Sequence, residues 1–457
     1  MRLIQGSSSS QCLRGESTYS ERRFAIESAT CEPPATNRFL IFGFSLVLLF
    51  ACLISSVQAA SPITPSGLNT QVSPPSTLPS GKVQYNITGG TRPGGGTNLF
   101  HSFGDFNVPN SNIANFLNDS GAFTTNILGR VTGGNLSSIF GTIQTTGFGN
   151  ANLFLMNPAG FLFGPNATVN VGGMVSFSSA DYLRLADGVR FNAIANPNAD
   201  ALLSTAPVAA FGFLGSNPGA ITVQGSQLTV ANGTGISLVG GNITVQSGTP
   251  EGRTVQPARL YAPNGKIQLA SAASPGEFDA ATLQPLPNAN NISFTSFGSV
   301  SLAPGSTINV SGEHAVAIRG GQFVLSVKDA VLSTAQSPGP PETISLSPGS
   351  SIFSSNAGAD AGADVQLIAS NMQMDGASIQ SLTTGAGAGG NISITAALEG
   401  DPISSTAGSV RIKGGQIQTA SVGPGTVGDI EVNSSSLSMT DGAIINSLLV
   451  PNPLIPG

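Results

Sequence analysis

Four short alternating triplets follow one another at nearly even spacing: Ile221-Thr222-Val223, Leu228-Thr229-Val230, Ile236-Ser237-Leu238 and Ile243-Thr244-Val245. Their first residues stand 7, 8 and 7 positions apart. Period-2 alternation gives each segment one apolar and one polar side, as in a half-buried strand. The spacing leaves about five residues per strand and two or three per corner. Three such strands close a coil of about 22 residues. Successive coils then pair backbone to backbone about 4.8 Å apart, with Ile, Val, Leu and Phe inside and Ser and Thr outside. The fold expected is all-β: a parallel β-helix, a solenoid of the pectin-lyase-like kind. A β-sandwich fits less well, because it wants strand signals every 8–12 residues and longer strands. Ile243 and Ile292 are read as core positions.

The corners repeat as well. Gly-Asn or a relative precedes a strand in Gly241-Asn242-Ile243, Gly390-Asn391-Ile392, Gly428-Asp429-Ile430 and Asn264-Gly265-Lys266-Ile267. Pro-Gly-Ser opens Pro304-Gly305-Ser306-Thr307-Ile308 and Pro348-Gly349-Ser350-Ser351-Ile352, and Asp-Gly-Ala recurs at Asp375-Gly376-Ala377 and Asp441-Gly442-Ala443. Gly and Asn accept the positive φ of tight corners.

Composition narrows the function. Only 9% of residues are charged, against about a quarter in an ordinary soluble domain. The net charge of −6 and a pI of 4.9 exclude the basic footprint of a nucleic-acid binder. Two histidines make a metal centre or a rich catalytic site unexpected, and no cofactor is expected. Gly423-Pro424-Gly425-Thr426-Val427-Gly428 matches GxGxxG, but it leads into the strand pattern Asp429-Ile430-Glu431-Val432 and lacks the helix start that would hold a phosphate. His101, among Leu99, Phe100 and Phe103, reads as a partly buried structural residue, and His314 as a loop residue. Asp364, Asp375, Asp429 and Asp441 fall at corners, where Asp is a common turn residue. Gly94-Gly95-Gly96 and Gly385–Gly390 lack the Asp of calcium-binding nonapeptides.

Residues 39–54 form an uncharged apolar run behind Arg38, followed by Ser55-Ser56-Val57-Gln58-Ala59 and Ala60. A positive flank, a short apolar core and a small-x-Ala exit mark a secretory signal peptide over residues 1–59, cut between Ala59 and Ala60. Residues 1–37 make an extended n-region. Cys12, Cys31 and Cys52 all precede the cut, so the exported part carries no cysteine. Residues 60–97 read as a Pro/Ser/Gly-rich lead-in with the first strands, its first twenty residues loose.

Residues 98–191 differ from the later repeats. They run Asn98-Leu99-Phe100-His101-Ser102-Phe103-Gly104-Asp105-Phe106-Asn107-Val108, then Ile127-Leu128-Gly129-Arg130-Val131-Thr132-Gly133-Gly134-Asn135. Asn152-Leu153-Phe154-Leu155-Met156-Asn157-Pro158-Ala159-Gly160-Phe161-Leu162-Phe163-Gly164-Pro165-Asn166-Ala167 follows, then Val171-Gly172-Gly173, Ser178-Ser179 and Leu185-Ala186-Asp187-Gly188. This order closely resembles the amino-terminal haemagglutination-activity domain of the filamentous haemagglutinin family, the exported partners of two-partner secretion. The resemblance covers roughly residues 66–250, and looser likeness to the family's repeats runs on.

The resemblance implies a right-handed β-helix, with a secretion domain at 98–250 and β-helix repeats at 251–457. It implies passage through the periplasm and recognition by an outer-membrane two-partner secretion transporter. The product then reaches the medium or the surface of a Gram-negative-type bacterium, to act in adhesion on a carbohydrate or protein ligand. Phe100, Phe103, Phe106 and Asn107, with the turn residues Asn157, Pro158, Ala159, Gly160, Gly164, Pro165 and Asn166, are the candidate export-recognition residues; shaping the first coils is the other reading of them. The family usually has Asn-Pro-Asn-Gly where this chain has Asn157-Pro158-Ala159-Gly160, and Ala159 fits worse than Asn if that residue takes positive φ. A β-helical carbohydrate-active enzyme, with acids clustered on one face, and a non-functional fragment of a larger adhesin remain the alternatives.

Overall fold

The computed structural model describes residues 61–288, 290–311, 322–326, 343–396 and 408–450. The expected signal peptide over residues 1–59, with Ala59, Ala60 and the three cysteines, and His314 lie outside these.

The alternating triplets become strands on three successive faces. Ile221–Gln224 lies on the second face, Gln227–Thr229 on the third, Gly235–Gly240 on the first and Ile243–Gln246 on the second again. Ile221 pairs with Ile243, one coil on, in a parallel ladder. Phe161, Ile221, Ile243, Val300, Ile344 and Met372 therefore occupy one inward position of successive coils. On the first face Leu99, Ile127, Leu153, Val175, Ile236 and Ile267 do the same. The fold is the expected parallel β-helix. Its first face stacks ten parallel strands among the described residues, from Asn98–Phe106 to Ile430–Asn433.

The repeated corners form columns. Pro304-Gly305, Pro348-Gly349, Asp375-Gly376 and Asp441-Gly442 all lead onto the third face, with glycine φ of 74°, 72°, 56° and 76°. The next residue of the first three is a buried Ser306, Ser350 or Ala377, and only a small side chain fits inside so tight a bend.

Three features depart from the sequence reading. Residues 63–77 are ordered: Ile63–Gly67 pairs antiparallel with Asn98–Phe106, while Thr70–Val72 and Ser76–Thr77 pair antiparallel with Val83–Gly89. They close the exposed ladder edge at that end, which would otherwise pair with other chains. Ile292 is 44% exposed, because Phe294 and Phe297 beside it take the buried positions; Ile243 is fully buried.

The third is a five-stranded antiparallel sheet outside the helix. Tyr182–Leu185, Arg190–Asn192 and Val208–Phe213 come from one excursion of the chain, Gly276–Asp279 and Pro285–Leu286 from another. Both excursions leave after a first-face strand and return to the second face. The sheet covers the outer side of the first face and closes a second core of Phe100, Leu128, Phe154, Met156 and Val239 against Leu183, Phe191, Phe211, Phe213, Phe278 and Phe297.

Candidate functional site

The candidate residues divide between the two cores. Phe103 and Phe106 point into the helix, where their rings lie 5.0 Å apart edge to face and both pack on Phe116. Phe100, on the same strand, points the other way and meets Phe191 of the cover sheet at 5.1 Å. Alternation along one strand thus sends neighbouring phenylalanines to opposite sides. All three are buried. Asn107 is half-buried, and its Oδ1 accepts the Ser138 N–H at 2.9 Å, joining the first coil to the next.

His101 shares the inward side with Leu99 and Phe103. It is 1% exposed, stacks on Phe103, meets Phe116 edge-on and has Nδ1 3.3 Å from Thr70 Oγ1. Burial, helped by Arg92 and opposed by Asp119, lowers its pKa to about 3. It is a neutral core residue, more deeply buried than its sequence suggests.

The Asn157 turn lies two coils further on, between the first and second faces, apart from the phenylalanine motif. The Gly160 N–H donates to the Asn157 carbonyl at 2.8 Å, and Asn157 Oδ1 accepts the Ala159 N–H at 3.0 Å. Asn157 Nδ2 donates to the Asn135 carbonyl and to Ser137 Oγ, 2.9 Å each, which ties the turn to the coil before it. Ala159 does not take positive φ; Gly160 does, at 95°. A Cβ on Gly160 would stand 2.1 Å from the Ala220 carbonyl oxygen. The left-handed position is therefore already a glycine, and Ala159 is free of the conformational cost. Gly164 is also buried, with Phe140 where a Cβ would go, and its carbonyl accepts the Ser226 hydroxyl at 2.6 Å. Of these residues Pro158, Ala159 and Pro165 are half-buried and Asn166 is exposed.

Two buried devices were not singled out in the sequence. Asn98, Asn126 and Asn152 stack in register and pass one amide hydrogen bond along: Asn152 Nδ2 to Asn126 Oδ1 at 3.0 Å, Asn126 Nδ2 to Asn98 Oδ1 at 2.9 Å. Asn98 Nδ2 ends the chain on the Ser204 and Ala206 carbonyls of the first excursion. Arg130, 1% exposed, makes two 2.7 Å bonds to Asp200 at the end of the short helix Pro197–Asp200, with Ser102 Oγ and the Asn192 carbonyl taking further N–H groups. A lone charge inside the apolar run Ile127–Val131 signals a buried partner; nothing in the spacing points to Asp200.

Of the corner acids, Asp364 serves the backbone with its carboxylate. Asp364 Oδ1 accepts the Asn391 N–H and Asn391 Oδ1 accepts the Asp429 N–H, 2.8 Å each, in the column leading onto the first face. Asp375 and Asp441 stand in the column leading onto the third. Among the described residues no three His, Cys, Asp or Glu gather as metal ligands would.

No curated protein sequence matches the chain. Among solved structures, the HMW1 secretion domain from Haemophilus influenzae is 16% identical, with 85% of this chain and 100% of that one covered and a TM-score of 0.46. The filamentous hemagglutinin secretion domain is 14% identical, with 85% and 99% covered and a TM-score of 0.36. One family model, the TPS secretion domain, matches residues 62–325. That stretch takes in the antiparallel cap, the phenylalanine strand, the Asn157 turn and the whole cover sheet. It is more than half of the 457 residues, and the chain belongs to the TPS secretion-domain family of two-partner secretion exoproteins.

Proposed function

We propose that a leader over residues 1–59 exports this chain to the periplasm, where an outer-membrane two-partner secretion transporter recognises residues within 98–250 and passes the chain outward. The family match carries this reading. The burial of Phe100, Phe103, Phe106, Asn157 and Gly160 supports recognition before the coils close, while these residues are still accessible. An amphipathic strand with unpaired backbone adds readily to a sheet edge in a receptor. Folding outside then buries one rung of each apolar ladder per coil, at about 25 cal/mol per Å², and biases movement outward. Once folded, the chain acts at the surface as an adhesin toward a carbohydrate or protein ligand, without enzymatic activity; the spread of Asp364, Asp375, Asp429 and Asp441 over separate corner columns supports that part.

The test is secretion of tagged chain from Gram-negative cells with and without the transporter encoded nearest its gene. Surface or medium signal only with the transporter is expected. Periplasmic retention in both strains would overturn the reading.

A further inference from the structure

We propose that residues 61–297 fold as one all-or-none unit, which closes only when the strand Gly276–Asp279 docks and Glu277 meets Tyr182 and Arg184. This adds a discrete step to the outward bias proposed above, and its test does not use the transporter.

The first observation is a change of character along one column. Outward from the first face, a single register position is Phe100, Leu128 and Phe154 in the first three coils, then Ser176, Ser237 and Gln268. Further along it is Val324, then Gln366, Ser393 and Glu431. From Gln366 on, the position is half-buried or exposed, with no sheet over it among the described residues. The early coils finish only under the cover sheet, and without it their phenylalanine and leucine side chains are left wet.

The second is how that sheet is completed. Val208–Phe213 lies between Tyr182–Leu185, from its own excursion, and Gly276–Asp279, from the other. Until the second excursion arrives, Val208–Phe213 is an apolar edge strand, open to mispairing.

The third is the contact that closes it. Glu277 is 1% exposed; the Tyr182 hydroxyl donates to Oε1 at 2.7 Å and Arg184 Nε to Oε2 at 2.9 Å, with a second Arg184 nitrogen at 2.8 Å. The partners are 95 and 93 residues apart, so the loop must be closed before either group gains from it. Phe278, Phe294 and Phe297 then pack on Phe213 and on one another. The helix up to Gln246 therefore gains its full stability only when residue 297 is in place.

Hydrogen exchange of the full chain in increasing urea tests this. Amides of 126–131, 208–213 and 276–279 should merge onto one opening isotherm, with 365–369 and 392–396 on another. Independent opening of 126–131 would overturn the proposal and leave transporter-dependent secretion untouched. In Glu277→Gln, exchange in those three segments should rise together by roughly tenfold or more, with 392–396 unchanged. A rise confined to 208–213 and 276–279 would mean an independent flap. Should that variant not fold, the wild-type isotherms decide alone.

Discussion

Ala159 shows how little a residue's identity says until its backbone angle is known. The neighbouring Gly160 carries the positive φ, so Ala159→Asn should change unfolding free energy by less than about 0.5 kcal/mol and leave secretion unchanged. Gly160→Ala should cost about 2–4 kcal/mol, from a left-handed alanine and a Cβ pressed on the Ala220 carbonyl. Urea unfolding of the two variants side by side checks both. His101 gives a pH signature. Its folded pKa, about 3, lies below the ordinary 6.5, so between those values the unfolded chain takes up a proton that the folded chain refuses. Its contribution to stability is complete above pH 6.5 and is lost as pH falls toward 3, with a slope approaching about 1.4 kcal/mol per pH unit. In the next coil the same inward position is Gly129, and in the coils beyond it is Leu155, Phe177, Leu238 and Leu269. His101→Leu should therefore lose less stability than the wild type between pH 7.5 and 4.5. Parallel losses would assign the acid sensitivity to other groups.

The elements of the helix are legible in the sequence because each strand and its corner are local. Ile221-Thr222-Val223 and Pro304-Gly305-Ser306 announce a strand and a bend without reference to anything distant. The cover sheet is not local: Val208–Phe213 alternates like any other strand, and its pairing with Gly276–Asp279 has no local signal. A trace of it was present in Leu153-Phe154-Leu155-Met156, where continuous apolar character means burial on both sides. The candidate site divides the same way. The Asn157 turn was legible from its four residues, whereas the sorting of Phe100 away from Phe103 and Phe106 depends on a sheet formed from residues 182–286. Arg130 holds that sheet to the second coil. Asp200→Ala leaves a buried guanidinium unpaired and should destabilise by about 3–5 kcal/mol, read as a shift in urea midpoint; Asp200→Ala with Arg130→Met should recover part of it.

At the scale of the whole molecule, the described strands beyond residue 300 pair only with the coil before and the coil after. Stability there is a sum of neighbour terms. Ile379→Ala, which opens a cavity worth about 2–4 kcal/mol, should raise exchange in Ser351–Asn356 and Gln416–Ser421 and leave Asn98–Phe106 as it was. The transverse strands also set how the molecule answers force. Tension along the stacking axis loads the hydrogen bonds of one rung before the next, as in opening a zipper, and never a whole ladder in parallel. Pulled from its last coil the chain should come away one coil at a time in unequal releases: Ser409 to Ser436 spans 27 residues and Ile392 to Ile430 spans 38, roughly 90 and 130 Å of contour. The Arg130–Asp200 pair, which ties the first excursion to the second coil, and the Arg184–Glu277 pair, which ties the two excursions together, lie in the path of that tear and would stop it, like the cross-threads of a rip-stop cloth.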